Sequence, residues 1–259
     1  MKDNNRDYFK IDLSSINCGL LNQKFNLEVI IKYCFMNNLK LVKPKFILSS
    51  NHNNGREIVS DLSEYYDLKN IKINGKKFKL YNDAPNIKTF KKPYRHDLVT
   101  SLARFENVNE EFKKLGATLD IQHVKEIKNI ASKIHSKLKN YMCIHVRRGD
   151  RCHNEQIDKD TKPENIKAVI KRYRPESIYI MTNRLDEIKE LREVKNLYFY
   201  DDFEDLKNIK DNYFLFSVEN DIMKNASTRV TTFSNFNPQF FDCSLSKLTQ
   251  QNNPVVSRK

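Results

Sequence analysis

A chain of 259 residues can bury a substantial core and is long enough for two lobes of modest size. A hydrophobic fraction of 39%, with 16 Phe and 12 Tyr, excludes a disordered chain. Lys and Arg outnumber Asp and Glu by 46 to 33, and the resulting +13 favours anionic partners: a nucleotide diphosphate, nucleic acid or an acidic surface.

Residues 8–13 alternate as a short strand, and Gly19 with Asn22 marks the turn into a helix. Leu27, Ile30, Ile31, Cys34 and Phe35 then share one helical face. Residues 39–42 predict a second strand stopped by Pro44, so the chain opens as a Rossmann-like β-α-β unit with the Gly-Asn turn at the mouth of a cleft. Residues 49–56 predict a polar surface loop, and 71–78 a hairpin with Asn74-Gly75 in a type I′ turn. Residues 84–96 are interrupted by Pro and predict a loop, 98–105 a short helix, and 119–138 a long helix carrying Ile127, Ile130, Ala131, Ile134 and Leu138 at helical period.

The second half alternates more regularly. Strand 141–146, polar loop 148–162, a helix opened by Pro163 and running to 173, strand 177–182, a helix to 193 and strand 196–200 follow in turn. A helix over 211–226 and a short strand at 228–230 complete a nucleotide-binding type of lobe. The fold class expected is therefore α/β, with two Rossmann-like lobes, 1–116 and 117–240, and a carboxyl-terminal tail, 241–259.

Five cysteines, Cys18, Cys34, Cys143, Cys152 and Cys243, form no C-x-x-C pair and no zinc-like spacing, so neither a disulfide framework nor a metal site is expected. Cys143 on a core strand and Cys34 on an apolar helix face read as small buried hydrophobes. The amino terminus lacks the apolar run of a signal peptide, and no membrane segment is expected anywhere in this chain.

The densest chemistry lies in Tyr141-Met142-Cys143-Ile144-His145-Val146-Arg147-Arg148-Gly149-Asp150, where an apolar strand runs into a His, two Arg, a Gly and an Asp. Ligands of open α/β sheets sit beyond the carboxyl ends of strands, and a guanidinium there binds a diphosphate bidentately. On spacing alone, a strand edge with solvated arginines is an equally good reading.

His145, Arg147, Gly149 and Asp150 fill a His-x-Arg-x-Gly-Asp pattern that resembles the donor-site signature of the GDP-fucose-dependent fucosyltransferases: the α1,2 and α1,6 enzymes and the protein O-fucosyltransferases. Two further segments carry the resemblance over residues 8–240. Cys18-Gly19-Leu20-Leu21-Asn22-Gln23 followed by Leu39-Lys40-Leu41-Val42-Lys43-Pro44 is similar to the family's opening turn, helix and strand. Glu219 to Ala226 followed by Thr231-Thr232-Phe233-Ser234 is similar to its acidic helix and phosphate loop.

The resemblance implies a GT-B arrangement, with the first lobe on the acceptor side and the second binding the nucleotide sugar. It implies an inverting, metal-independent transfer of L-fucose from GDP-β-L-fucose to a hydroxyl of a glycan or protein. Arg147 is the expected catalytic group, stabilising charge on the departing diphosphate. Asn22 would face the β-phosphate or fucose, and Gly19 would allow close backbone approach. His145 lies near the nucleoside or serves as a structural histidine. Arg148 points away from Arg147 by strand alternation, and either holds the fold or touches the cleft. Asp150 would anchor the turn that presents Arg147 or contact the donor, with anchoring favoured. Glu219 would read guanine, its carboxylate accepting from the ring N–H and exocyclic amine, unless it is simply an exposed helix residue. Thr231, Thr232, Phe233 and Ser234 would supply hydroxyls and backbone N–H groups to phosphate, or act as ordinary caps. Thr182-Asn183 departs from the family's Thr-Asp and puts the base and ribose contacts in doubt.

No residue stands out as general base; Asp83, His96, Asp97 and Glu155 all lie in predicted loops. No Asp-x-Asp pair with flanking strand residues is present, and Asp201-Asp202 reads as a helix cap, so Arg147 is expected to supply the charge that a cation would otherwise contribute. No cofactor is implied beyond the GDP-fucose donor. Many eukaryotic relatives in the resembled family carry a signal or membrane segment, so this chain is expected to be either cytoplasmic or a shortened secretory-pathway protein. Two alternatives stand beside the transferase: the same fold using another nucleotide sugar such as GDP-mannose, and a non-catalytic basic binding protein on a degenerate scaffold. Nucleic acid is not an expected partner, because basic and aromatic residues are not clustered in any recognised module and an AT-rich genome would also produce such a Lys excess.

Overall fold

A computed structural model describes residues 7–10, 17–83, 102–234 and 241–252. The chain divides into two compact units, Met1–Lys125 with Asp211–Phe214, and Glu126–Lys210 with Leu215–Lys259.

In the first unit, strand β1 (Tyr8–Phe9) and β2 (Asn17–Cys18) precede helix α1 (Leu20–Met36). Strands β3 (Lys40–Val42), β4 (Phe46–Leu48), β5 (Ile58–Ser60), β6 (Lys72–Ile73), β7 (Lys76–Lys77) and β8 (Leu80–Tyr81) follow. Helix α2 (Leu102–Lys114) and strand β9 (Leu119–Asp120) complete the unit. Among the described residues of this unit three small sheets form, β1-β3-β8, β2-β4-β5 and β7-β6-β9. The buried face of α1 carries Leu27, Ile30, Ile31 and Cys34, as the periodicity predicts, while Phe35 stays exposed. Gln23 fastens this helix to the sheet, its Nε2 donating to the Ile47 carbonyl at 2.8 Å.

The Asn74-Gly75 turn has φ of 51° and 74°, the positive pair that a type I′ hairpin requires. The helix expected at 98–105 is instead α2, which runs on to bury Phe112 against Phe35 with ring centroids 5.9 Å apart. The loop expected over 84–96 lies outside the described residues.

The second unit begins essentially with helix α3 (Lys125–Leu138). Its expected start at 119 is too early, because Leu119 and Asp120 pair antiparallel with β6 and His123 bridges Tyr66. Those pairings also keep residues beyond Gly116 in the first unit, so the division falls at Lys125. Strand β10 (Tyr141–Val146), helices α4 (Glu155–Asp160) and α5 (Pro163–Tyr173), and strands β11 (Ser177–Thr182) and β12 (Leu197–Tyr198) come next. They lead to helices α6 (Glu204–Lys207) and α7 (Asn212–Lys224), strands β13 (Thr228–Thr231) and β14 (Cys243–Ser244), and helix α8 (Leu245–Asn252). The expected loop at 148–162 thus contains a helix. The helix expected before 193 is two 3-10 segments, and the expected tail supplies β14 and α8.

One five-stranded sheet organises this unit in the order β12-β11-β10-β13-β14, with every pair parallel. Met142, Ile144 and Val146 from β10, Ile178 and Ile180 from β11 and Val230 from β13 meet Ile166 and Val169 of α5 and Leu245 and Leu248 of α8 in its core. A strand covered on both faces has no polar side to show, which is why β10 reads as an apolar run from Tyr141 to Ile144 before His145.

Candidate functional site

From β10 the chain winds outward through β11 to β12, then crosses back to place β13 and β14 on the other flank of β10. The winding direction reverses between β10 and β13, and the carboxyl ends of two such strands enclose the crevice in which α/β sheets bind ligands. The residues delivered there are His145 to Asp150 from β10 and Thr231 to Ser234 from β13.

Side chains grip the chain leaving β10 from both neighbours. Thr232 Oγ1 accepts from the Arg147 N–H at 2.8 Å and donates to the His145 carbonyl at 2.8 Å. Asn183 Oδ1 accepts from the Arg148 N–H at 3.0 Å, and Asn183 Nδ2 donates to the Arg148 carbonyl at 3.2 Å. Gly149 then turns the chain at φ 69°, a left-handed conformation that calls for glycine, and a Cβ there would come within 3.3 Å of Asn183 Nδ2 and Arg184.

The two arginines diverge. The Arg147 guanidinium reaches one protein acceptor among the described residues, Asp150 Oδ1 at 2.9 Å, which anchors it along the Gly149 turn and leaves other N–H groups for a ligand. Arg148 is buried, with Nε on Glu187 at 2.7 Å, Nη2 on Asp158 at 2.6 Å and Nη1 on Thr161 Oγ1 at 2.7 Å. A guanidinium so fully engaged holds α4 and the 3-10 segment Leu185–Glu187 to the strand end. Its N–H groups are directed to protein acceptors on these segments.

His145 lies nearly parallel to the Phe241 ring, with centroids 6.5 Å apart and planes 14° from parallel. Burial, and then the positive charge of Arg147, lower its pKa to about 4, so the ring is neutral at pH 7 and offers one N–H and one acceptor.

Other expected residues sit elsewhere. Glu219, expected to read guanine, lies in the interior at 5% exposure, with Oε1 taken by the Tyr179 hydroxyl at 2.8 Å. Tyr179 pairs with Cys143 in the middle of the sheet, short of the strand ends. Burial raises the Glu219 carboxyl to about 8 against the Tyr179 hydrogen bond, which favours its protonated form near neutrality. The structure does not bring it into the crevice. Thr231 and Thr232 are buried and the Thr232 hydroxyl is committed to the backbone, whereas Phe233 is half-buried and Ser234 exposed.

Gly19 and Asn22 belong to the first unit. Gly19 caps α1 with extended backbone, and Asn22 is an exposed residue of the helix itself, past the turn in which it was expected. Among the general-base candidates, Glu155 opens α4 and is exposed, Asp83 is exposed, and His96 and Asp97 lie outside the described residues.

Asp201 and Asp202 both bind Arg192, at 2.5 and 2.7 Å, and Asp202 also accepts from the Phe199 N–H at 2.7 Å, as a cap does. Among the described residues no three His, Cys, Asp or Glu side chains gather as metal ligands, and no helix is long and apolar enough to cross a membrane.

Sequence reasoning missed the clamp of Asn183 and the Asp158, Thr161 and Glu187 cage. The one available signal was that Asn183 directly follows an apolar strand, as Arg147 does.

No family model matches the sequence, and no curated protein matches it. Among solved structures, the chain is similar to NodZ alpha-1,6-fucosyltransferase soaked with GDP-fucose, with TM-score 0.53 and 10% identity over 94% of this chain and 92% of that one. The same enzyme co-crystallized with GDP gives TM-score 0.51 and 9% identity over 95% and 92%. POFUT1 in complex with GDP gives 0.49 and 12% over 92% and 97%. Over most of its length the chain shares the α/β fold of the NodZ fucosyltransferase.

Proposed function

We propose that this protein is a glycosyltransferase of GT-B architecture that transfers L-fucose from GDP-β-L-fucose, with inversion and without a metal ion, to a hydroxyl of a glycan or protein. The observation that carries the reading is Arg147, a guanidinium held at the switch point of a parallel sheet by backbone clamps from both flanking strands. As the sugar leaves, charge accumulates on the diphosphate, and a cation already fixed in place stabilises that state more than the bound donor. The neutral His145 ring serves the donor as a hydrogen-bonding group.

A second reading, the same fold with another nucleotide sugar, is favoured by one observation: Glu219 is withdrawn from the crevice, which leaves guanine without an assigned partner.

Calorimetric titration without added metal, using GDP, GDP-fucose, GDP-mannose and UDP, separates the two. Selective GDP-fucose binding supports fucosyl transfer. Arg147→Ala should weaken GDP binding by about 2–3 kcal/mol, on the order of 100-fold. Wild-type protein that binds none of the four, or a variant that binds GDP as well as wild type does, sinks the proposal.

A further inference from the structure

The parallel ladder around β10 ends at Val146↔Thr182 on one side and at His145↔Thr231 on the other. On each side the next residue continues the pairing with its side chain in place of its backbone. Thr232 holds the Arg147 N–H, fixing the peptide plane before the Arg147 Cα. Asn183 holds the Arg148 N–H at 3.0 Å, fixing the plane after it. With both planes fixed, the direction in which Arg147 leaves the backbone is set, and only its side-chain torsions remain free.

We infer that Asn183 is a positioning residue that aims Arg147 at the diphosphate. This rests on the reading of Arg147 as the diphosphate ligand. One planar carboxamide meets both requirements of Arg148, accepting from its N–H and donating to its carbonyl at 3.2 Å, directly before the left-handed Gly149. The Thr-Asp pair expected from the resemblance would do half of this work. An aspartate accepts from the N–H, has no N–H for the carbonyl, and sets a second negative oxygen beside it. Asn183 also packs close to the turn, its Nδ2 3.3 Å from where a Cβ on Gly149 would stand.

The test compares wild type, Asn183→Ala and Asn183→Asp by calorimetry with GDP and with GMP, and by native-state amide exchange at Arg148. Asn183→Ala should speed Arg148 exchange by about 10-fold and weaken GDP about 10-fold while leaving GMP within about twofold, because the loss falls on the terminal phosphate. Asn183→Asp should keep the Arg148 amide protected and recover part of the GDP affinity. Unchanged Arg148 exchange in Asn183→Ala refutes the clamp. Faster exchange with an intact preference for GDP over GMP, or an equal loss of both nucleotides, refutes positioning. Wild-type protein that fails to bind GDP removes the functional reading itself, a result distinct from either failure of Asn183.

Discussion

His145 and Glu219 are each held away from their ordinary protonation, and they pull stability in opposite directions. Burial and Arg147 depress His145 from 6.5 to about 4. Between those values the unfolded chain binds a proton that the folded chain does not, so stability falls as pH drops through the window. Burial raises Glu219 from 4.5 to about 8. Here the folded chain keeps a proton that the unfolded chain releases, so stability falls as pH rises through that window. Tyr179, Cys143 and Tyr200 around it all have raised pKa values, so none supplies a compensating charge near neutrality. The two effects oppose each other from about pH 4.5 to 6.5, and Glu219 acts alone above it. Urea unfolding of Glu219→Gln at pH 6.5 and 8 should show its stability relative to wild type growing by about 1–2 kcal/mol over that interval. An unchanged difference would mean that the wild-type carboxyl is already ionised at pH 6.5 in the fold.

Helix α4 is too short to stand alone and is held from three directions. Asn154 caps it, accepting from the Gln156 and Ile157 N–H groups at 3.1 Å. Its Asp158 pairs with Arg148, and its Asp160, 1% exposed, accepts from Thr249 Oγ1 of α8 at 2.6 Å and from Gln156 at 2.7 Å. The carboxyl-terminal helix therefore steadies the cage around Arg148. Thr249→Val keeps the shape and removes the hydroxyl, leaving Asp160 one partner short, at a cost of about 2 kcal/mol. Amide exchange should accelerate across α4 first, and an unaffected α4 would show that α8 lends it nothing. This coupling was invisible in the sequence, because the polar stretch of α4 has no apolar period. Strands β10 and β11 and helix α5, by contrast, were legible to the residue: double-faced burial leaves apolar runs, and Pro163 marks a helix start. Leu185, Ile188 and Leu191 recur every third residue, which fits the 3-10 segments found there better than the helix expected. At the site, Arg147 stood out because charge follows an apolar strand abruptly. Asn183 did not, since its role lies in backbone hydrogen bonds, and the burial of Glu219 was not legible because a carboxylate in a helix does not announce it.

At the scale of the whole molecule, the net charge of +13 and the local contact at Arg147 contribute to anion binding in separable ways. Several charges of the second unit are already paired, Arg148 with Asp158 and Glu187, Arg192 with Asp201 and Asp202, Arg229 with Asp242. The long-range field is set by the net excess of basic over acidic residues. Such a field acts on the approach of GDP, and salt screens it over a Debye length of about 10 Å at 0.1 M and about 3 Å at 1 M. A partly buried guanidinium against phosphate acts after arrival and is screened far less. Raising salt from about 0.05 to 0.5 M should then lower the association rate of a fluorescent GDP several-fold in stopped-flow measurements, with dissociation changed less than about twofold. Arg147→Ala should do the reverse, speeding dissociation while keeping the salt slope of association. If salt acts mainly on dissociation, the excess charge plays no part in capturing the nucleotide, and all of the electrostatic affinity belongs to contacts within the crevice.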